Sequence, residues 1–342
     1  MAKLPERENP TVAAIFARHE RDAKDWRRPH LGASLIGREC VRSLWYSFRW
    51  LNPPGGISMK PVLGFDGRLL RLFERGDREE AWIVEELKAL GWEVHDVDEH
   101  GKQWRVSYLG GHFSGSSDGA VLGVPEALKT WHLLEVKTSN DKRFKELRRD
   151  GVKVWSPEHY AQMQTYMHGL GLTRAIYVCV CKNDDHIHVE RVRYDKEFAL
   201  RVIDKAEAVV FATEPLARIS DDPTWWKCKF CAYRPACHLG DPSHIERNCR
   251  TCASSTPLVD GAWRCDYHGI PLDGDAQRAG CDEHLFIPAL LPWPASDFDE
   301  TARAVFYEKS PGVRVIDTGG RLHGLDADRL RDQHKDDLLE NQ

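Results

Sequence analysis

In the stretch HLLEVKTSND, Leu133, Leu134 and Val136 form an apolar run that reads as a buried strand, yet Glu135 and Lys137 sit inside it. Two residues apart, they project to the same face of a strand. Charges there cost free energy unless they are paired or bind something. Other polar groups accompany them. Asp118 lies in SGSSDG at the start of the preceding strand, Glu80 in a long helix before it, and Gln162 and Tyr166 four apart on a following helix, hence on one of its faces. A hard divalent cation accounts for the set, because magnesium takes oxygen ligands, often one or two carboxylates plus substrate phosphate and water. Asp118 and Glu135 on adjacent strands are the expected ligand pair for magnesium or manganese. Glu80 is expected to hold a second ion or to bind through water. Lys137 beside the metal would orient or activate a water and offset phosphate charge. Such a group suits in-line hydrolysis of a phosphodiester.

These residues need elements to position them. LGFDGRLLRLFERGDREEAWIVEELKALG carries apolar residues at helical spacing and ends at Gly91, a plausible helix stop. WEVHDVDE, QWRVSYLGG, FSGSSDGAVLGV and WHLLEVKTS read as strands of a hairpin or meander. PEHYAQMQTYMHGLGL reads as a helix with Pro157 near its start; two strands, RAIYVCVCK and HIHVERVRYD, and a helix, KEFALRVIDKAEAVVFATE, follow. The N-terminal MAKLPERENPTVAAIFARHERDAKDW reads as a short amphipathic helix and LNPPGG as a break. The order predicts an α/β fold, a mixed central sheet flanked by helices.

At this point the residues resemble the PD-(D/E)XK nuclease superfamily. GSSDG followed by LLEVKT is similar to its signature, with Ser117 where the family name has proline. RGDREEA resembles the GxxxE element of the RecB-like branch and of phage recombination exonucleases, matching Gly76 and Glu80, with Glu79 available if the register differs by one. QMQTY resembles the QxxxY element of that branch, matching Gln162 and Tyr166. The resemblance runs from about Ala33 to Cys237. It implies a restriction-endonuclease-like core and a metal-dependent DNA exonuclease acting in phage or prophage recombination, repair or replication. A single-strand-annealing or recombination protein would be a partner. The other class of function is a non-catalytic nucleic-acid-binding or adaptor protein on a nuclease scaffold.

The chain has ten cysteines, seven of them between Cys228 and Cys281, several as CxxC pairs. In a long cytosolic chain that pattern points to metal rather than to disulfides. Cys228, Cys231 and Cys237 form C-x2-C-x5-C, and Cys40 is the candidate fourth thiolate. One early cysteine and a late triplet flanking a nuclease core resembles the iron–sulfur nucleases, including AddB-type recombination subunits and CRISPR-associated adaptation nucleases. The resemblance implies a [4Fe–4S] cluster; zinc at the same thiolates, or at three of them with His238, is the alternative. Cys249, Cys252, Cys265 and Cys281, with His268 or His284 as a substitute, read as a structural zinc site in a small zinc-ribbon-like unit. Cys179 and Cys181 alternate in a strand and read as packing residues. The expected divisions are residues 1–240 for the nuclease domain, 241–293 for the zinc-binding unit and 294–342 for a weakly patterned tail.

Net charge is −5 and charged residues make up 30%, so the surface as a whole is no field for nucleic acid, and contacts must come from local patches. SNDKRFKELRRDGVKVW, directly after the Glu135–Lys137 strand, supplies Lys142, Arg143, Lys145, Arg148, Arg149 and Lys153 for DNA phosphates, with Phe144 and Trp155 reading equally as stacking or as core residues. No apolar run is long enough to span a bilayer and no secretory signal is evident, so a cytoplasmic location is expected.

Overall fold

The structure, a computed structural model, describes residues 9–23, 27–51 and 65–324. The expected break at LNPPGG beyond Leu51, and the chain after Gly324, lie outside these residues. The chain divides into two compact units: Met1–Glu39 with Pro54–Ala208, and Cys40–Pro53 with Val209–Gln342.

Unit 1 contains α1 (Pro10–Arg21), β1 (Leu31–Gly32) and α3 (Gly67–Ala89); the intervening α2 (Val41–Phe48) belongs to unit 2. Next come β2 (Glu93–His95), β3 (Arg105–Tyr108), β4 (Phe113–Ser116), β5 (Gly119–Leu122) and β6 (His132–Ser139). Then follow α4 (Asp141–Asp150), α5 (Val152–Trp155), α6 (Pro157–Leu170), β7 (Arg174–Cys181), β8 (Ile187–Arg193) and α7 (Lys196–Val210), most of which lies in this unit.

The main sheet has the order β2-β5-β6-β7-β8. Only β6 and β7 run parallel, with α4, α5 and α6 as the crossover between them. A second sheet has the order β1-β4-β3. The central strands are buried on both faces, which is why β7 reads RAIYVCVC with hardly a polar residue. Leu134 and Val136 of β6 and Ile176, Val178 and Val180 of β7 pack with Ile83, Val84 and Leu87 of α3 in one core. Alternation therefore sends Glu135 and Lys137 to the opposite face. Both long helices have ordinary caps: Asp66 Oδ1 accepts from Leu69 N (2.7 Å), and α6 starts at Ser156 with Pro157 behind it and stops at Gly171, φ +67°.

The basic run after β6 is a helix, α4. Its Asn140 cap accepts from Arg143 N (2.9 Å), and Phe144 and Leu147 form its buried face. Phe144 is a core residue, so it is not available to stack bases.

Unit 2 contains α2 (Val41–Phe48), α8 (Trp226–Lys229), α9 (Arg234–His238) and α10 (Gly274–Ala279). The strands β9 (Ser255–Pro257), β10 (Trp263–Cys265) and β11 (Ile270–Pro271) make a small antiparallel sheet. The stretch expected to be a weakly patterned tail folds, up to Gly324, as an antiparallel meander of β12 (Ala295–Asp299), β13 (Ala304–Ser310), β14 (Val313–Thr318) and β15 (Arg321–Gly324). Its turns fall at Pro311-Gly312 and Gly319-Gly320.

The division does not follow the expected boundary at Gly240, because residues far apart in sequence share one core. Arg49, just after α2, donates to the carbonyls of Arg250, Ser255 and Ala212 (3.3, 3.2 and 3.1 Å). Arg250 donates to Phe48 O (3.0 Å), and its guanidinium lies 3.9 Å from the Trp50 ring centroid and 4.6 Å from that of Trp263. Ending the chain after Gly240 removes Arg250, Ser255 and Trp263. The shortened protein is expected to lose solubility and its cooperative thermal transition, as judged by gel filtration and a circular-dichroism melt. A soluble fragment melting cooperatively would show that residues 40–53 do not need those partners.

Candidate active site

Register brings Asp118 to Glu135. Gly119 of β5 pairs with Leu134 of β6 in an antiparallel ladder, so one step outward sets Asp118 opposite Glu135. Asp118 follows the point where the chain leaves β4 of the second sheet and precedes β5 of the main one. Its Oδ2 accepts from Val136 N at 2.8 Å, which fixes the carboxylate against β6. The corner needs glycine next: Gly119 has φ +135°, and a Cβ there would lie 2.8 Å from His95 O.

Lys137 forms an ion pair with Glu135, lies 3.8 Å from Asp118 Oδ2, and donates to Val136 O (3.0 Å). Glu135 has no solvent exposure, and the Lys137 ammonium is the group that meets its carboxylate. Glu80 accepts from Gln103 Nε2 at 3.0 Å and feels both Asp118 and Lys137, whereas Glu79 feels Arg75 and Asp185. Glu80 is therefore the member of the pair that faces the site.

Across β6, α6 supplies Gln162 and Tyr166. Gln162 Nε2 donates to Tyr166 Oη at 3.3 Å, and both are buried. The Tyr166 ring lies on Gly115 of β4, where a Cβ would meet its hydroxyl at 2.6 Å. The hydroxyl pKa is raised, first by burial and then by the Glu135 charge. The structure thus brings Glu80, Asp118, Glu135, Lys137 and Tyr166 into one electrostatic group, with Gln162 bonded to Tyr166.

Two neighbours were missed. Gln103 holds Glu80, and nothing in its sequence context marks it. His159 did carry a signal, since His159, Gln162 and Tyr166 recur at i, i+3 and i+7 on one helix face. His159 Nδ1 shares a hydrogen bond with Tyr177 Oη (2.8 Å), and burial, then Lys137 and Arg143, lower its pKa to about 3, so it is neutral.

Burial first, and charge crowding after it, sets the protonation of the group. Burial first, and then Asp118, raises Glu80 to about 7. Burial raises Glu135 to about 8; Lys137 opposes the shift and Asp118 adds to it. Burial works against the Lys137 charge, but Glu135 and then Asp118 outweigh it and hold the ammonium protonated. A buried carboxylate balanced by a single ammonium, a second fixed on the adjoining strand and a third beside them fit a hard divalent cation, whose charge would reverse the upward shifts.

The basic helix contributes less than its composition suggests. Lys145 pairs with Asp141 (2.9 Å), Arg149 with Asp150 (2.7 Å) and Arg143 with Glu146 (3.2 Å). Arg143 also lies 4.5 Å from the centroid of the half-buried Trp155. Lys142, Lys153 and Arg148 are exposed.

The thiols gather in unit 2. Cys40 caps α2 without a side-chain cap bond, and the Cys228 thiol is pushed up by burial and then by Cys40 and Cys237. Burial, then Cys252, Cys281 and Cys265, pushes Cys249 up to about 12. Cys252 and Cys265 Sγ accept backbone N–H bonds from Ser254 and His268 (3.5 and 3.4 Å), and His268 Nε2 lies 3.8 Å from Cys281 Sγ. His284 is placed elsewhere, its Nε2 3.1 Å from Asn248 O and 3.3 Å from Thr251 Oγ1. Cys179 and Cys181 are buried in β7.

No protein-family model matches the chain, and no curated protein matches it. Among solved structures, SSO0001 matches at 14% identity over 70% of this chain and 99% of its own, with a TM-score of 0.41. LHK-Exo, an alkaline exonuclease from Laribacter hongkongensis, matches both by itself and in complex with dAMP, at 18% identity over 58% of this chain and 90% of that one, with a TM-score of 0.37. Likeness this distant carries no functional weight.

The raised carboxyls give a signed expectation. The folded, metal-free protein keeps the Glu135 and Glu80 protons up to about 8 and about 7, while the unfolded chain releases them near the usual 4.5. The native state binds more protons in that window, so metal-free stability falls as pH rises through it. Melts without added divalent cation should therefore drop between about pH 5 and about pH 9, and manganese should raise them more at the alkaline end. Glu135→Gln should flatten both trends; a manganese effect unchanged by that substitution would remove Glu135 from the metal site.

Proposed function

We propose that unit 1 is a metal-dependent nuclease that hydrolyses phosphodiester bonds of DNA. The observation that carries this reading is the Glu135 carboxylate, fully buried, opposite Asp118 and with the Lys137 ammonium as its ion-pair partner. Asp118, Glu135 and Glu80 would hold magnesium or manganese. When bound, the ion supplies Lewis-acid polarisation of the scissile phosphate. Lys137 stays charged, so it offsets phosphate charge and orients the attacking water through its protons rather than abstracting one. Tyr166, with its hydroxyl kept protonated by burial, is a donor toward the same space. Neutral His159, hydrogen-bonded to Tyr177, lies near enough to Lys137 to feel its charge.

The GxxxE and QxxxY elements at Gly76–Glu80 and Gln162–Tyr166 support exonuclease action on DNA ends, single-stranded or duplex, in recombination or repair, with a single-strand-annealing protein as partner and phage or prophage origin. Cytoplasmic action belongs to the same reading; among the described residues no helix is long and apolar enough to cross a membrane.

Cleavage of end-labelled DNA with magnesium or manganese tests the proposal. Asp118→Ala and Glu135→Gln are expected to reduce cleavage to background while the proteins stay folded. Lys137→Ala should lose about 10²- to 10⁴-fold in rate yet still show manganese-dependent stabilisation. Wild-type rates for Asp118→Ala at saturating magnesium would refute the site. Cation-dependent stabilisation without cleavage of any DNA would favour a binding protein on a nuclease scaffold.

For the thiols of unit 2 we propose a [4Fe–4S] cluster at Cys40, Cys228, Cys231 and Cys237 and zinc at Cys249, Cys252, Cys265 and Cys281, in a zinc-ribbon-like sheet. The donor sets suit these metals, and His268 is the nearer substitute ligand. Anaerobically purified protein should be brown and contain iron, acid-labile sulfide and zinc. Cys40→Ala should bleach it and lower its melting temperature, whereas Cys179→Ala should keep the colour. Colourless anaerobic protein with two zinc ions per chain would replace the cluster by zinc.

A further inference from the structure

Within unit 1, α1 and α3 enclose a cavity of about 270 Å³ that the hydrolytic site does not use. Arg71, Arg75 and Arg78 line it from α3, and Arg18 lines it from α1. On α3 the three arginines stand at i, i+4 and i+7, hence on one face. The walls are fixed to each other: Gly67 N donates to Glu20 Oε1 (2.9 Å), and His19 Nδ1 lies 3.3 Å from Glu74 Oε2.

Like charges on successive turns of a helix destabilise it, and little here offsets them. Glu74 is the carboxylate of the lining, and it is shared: Arg78 pairs with it, and it feels His19 and Arg18 as well. Asp22 pairs with both Arg18 and Arg21 (3.2 Å each). Arg75 donates to a main-chain carbonyl, Lys182 O (3.1 Å), and reaches a carboxylate only at longer range, at Glu79. Arg71 is exposed and has no hydrogen bond or ion pair among the described residues.

Such a cavity suits an anion, and the donor set narrows which. A carboxylate has two oxygens and is satisfied by a single guanidinium fork, whereas a phosphate offers more oxygens and accepts from several forks at once. Ile15 is the apolar side chain of the lining and no aromatic ring takes part, so nothing here would grip a base or an apolar ligand. The same helix carries Glu80, nine residues after Arg71, or about 13 Å along the axis. A strand with a phosphate every ~3.4 Å of rise covers that distance in about four nucleotides. Helical phase puts Glu80 on the opposite side of α3, so phosphates held by the arginines are others than the scissile one.

We propose that this cavity binds phosphates of the nucleic-acid strand that the Asp118–Glu135 site cleaves, at a distance from the cleaved bond, with Arg71 and Arg75 as principal donors. The source of the phosphates rests on the nuclease reading; the oxyanion site itself does not.

The test uses the full chain carrying Glu135→Gln, without added magnesium or manganese, so that failure to cleave DNA leaves it untouched. Pyrophosphate should raise the melting temperature of this parent. Adding Arg71→Gln and Arg75→Gln together should keep the ligand-free melting temperature, since neither residue has an ion pair to lose, and should abolish most of the rise. Binding of a fluorescein-labelled oligodeoxythymidine, read by anisotropy, should weaken about fivefold for each substitution at about 0.1 M salt. The slope of log affinity against log salt should fall by about 0.7 each time, equally for an oligonucleotide of mixed sequence. Arg71→Lys should keep the salt slope but lose part of the pyrophosphate effect, because it keeps the charge without the fork. Arg71→Gln alone serves where the double variant is unstable. An undiminished pyrophosphate effect in these variants would overturn the site. Loss of that effect with parental oligonucleotide affinity and salt slope would overturn the nucleic-acid assignment and give the cavity to free polyphosphate.

Discussion

One carboxylate that cannot move sets the terms for unit 1. Glu135 sits on a central strand with ladders on both sides, β5 on one and β7 on the other. Its neighbours Leu134 and Val136 are fixed in the core against α3. A slip of one residue would turn both into the polar face and Glu135 into the core, so the alternation that buries the leucine and valine also locks the charge in place. A carboxylate buried in such a position is costly. The molecule offsets part of that cost with Lys137, two residues along the same face, and part by protonation. A cation would remove the rest, because it adds positive charge to a site that holds three carboxylates and one ammonium. Burial therefore makes the site poor as a salt bridge and good as a metal ligand set.

The corner between the two sheets follows from that constraint. The second carboxylate has to approach β6 from a strand that does not continue in the same direction, because an extended β4 would carry Asp118 past Glu135. Changing sheets at Ser117 and Asp118 solves this, and each neighbouring glycine answers to a particular crowding. Gly119 has a backbone angle that side chains avoid and lies against His95 O, while Gly115 leaves room for the ring of Tyr166. The parallel pairing of β6 and β7 contributes as well. Parallel strands require a crossover, and this one carries α6 over the face that Glu135 and Lys137 occupy. The QxxxY residues thus reach the site as a consequence of strand direction.

Much of this was legible in the sequence. Charges inside an apolar run mark themselves, because they violate the burial pattern around them, and the same holds for Asp118 within a serine–glycine stretch. Glu80 could not be told from Glu79, since both stand in a charged helix and only helical phase relative to the sheet separates them. The basic helix α4 was read for its charges, and its two buried residues, Phe144 and Leu147, were outnumbered in the pattern. Paired acids at i+4, i+3 and i+1 then absorb much of the positive charge, a loss that composition hides. In the C-terminal stretch the alternation of AVFYEKS and VRVIDT was present. Its strands are short and one face is exposed, so the signal is weak beside the cysteines that precede it.

The difference between the expected boundary and the two units has a different cause. A boundary drawn from composition assumes that each core is continuous in sequence, and unit 2 breaks that assumption through two arginines. Arg49 and Arg250 are almost wholly buried, stacked on Trp45, Trp50 and Trp263, and their protons go largely to main-chain carbonyls of each other's segment. Burial lowers the pKa of both. A guanidinium tolerates this better than an ammonium, being planar, weakly hydrated and able to present a face to a ring while its edge bonds to carbonyls. The segment around α2 is thereby clamped to the segment around β9 and β10 by groups that sequence reading assigns to the surface. The same clamp sets Cys40, at the start of α2, within the unit that holds Cys228 and Cys237. Cys228 feels Cys40 and Cys237, yet among the described residues no three of these sulfurs come within 4.8 Å of one another, so a shared metal would have to draw them closer.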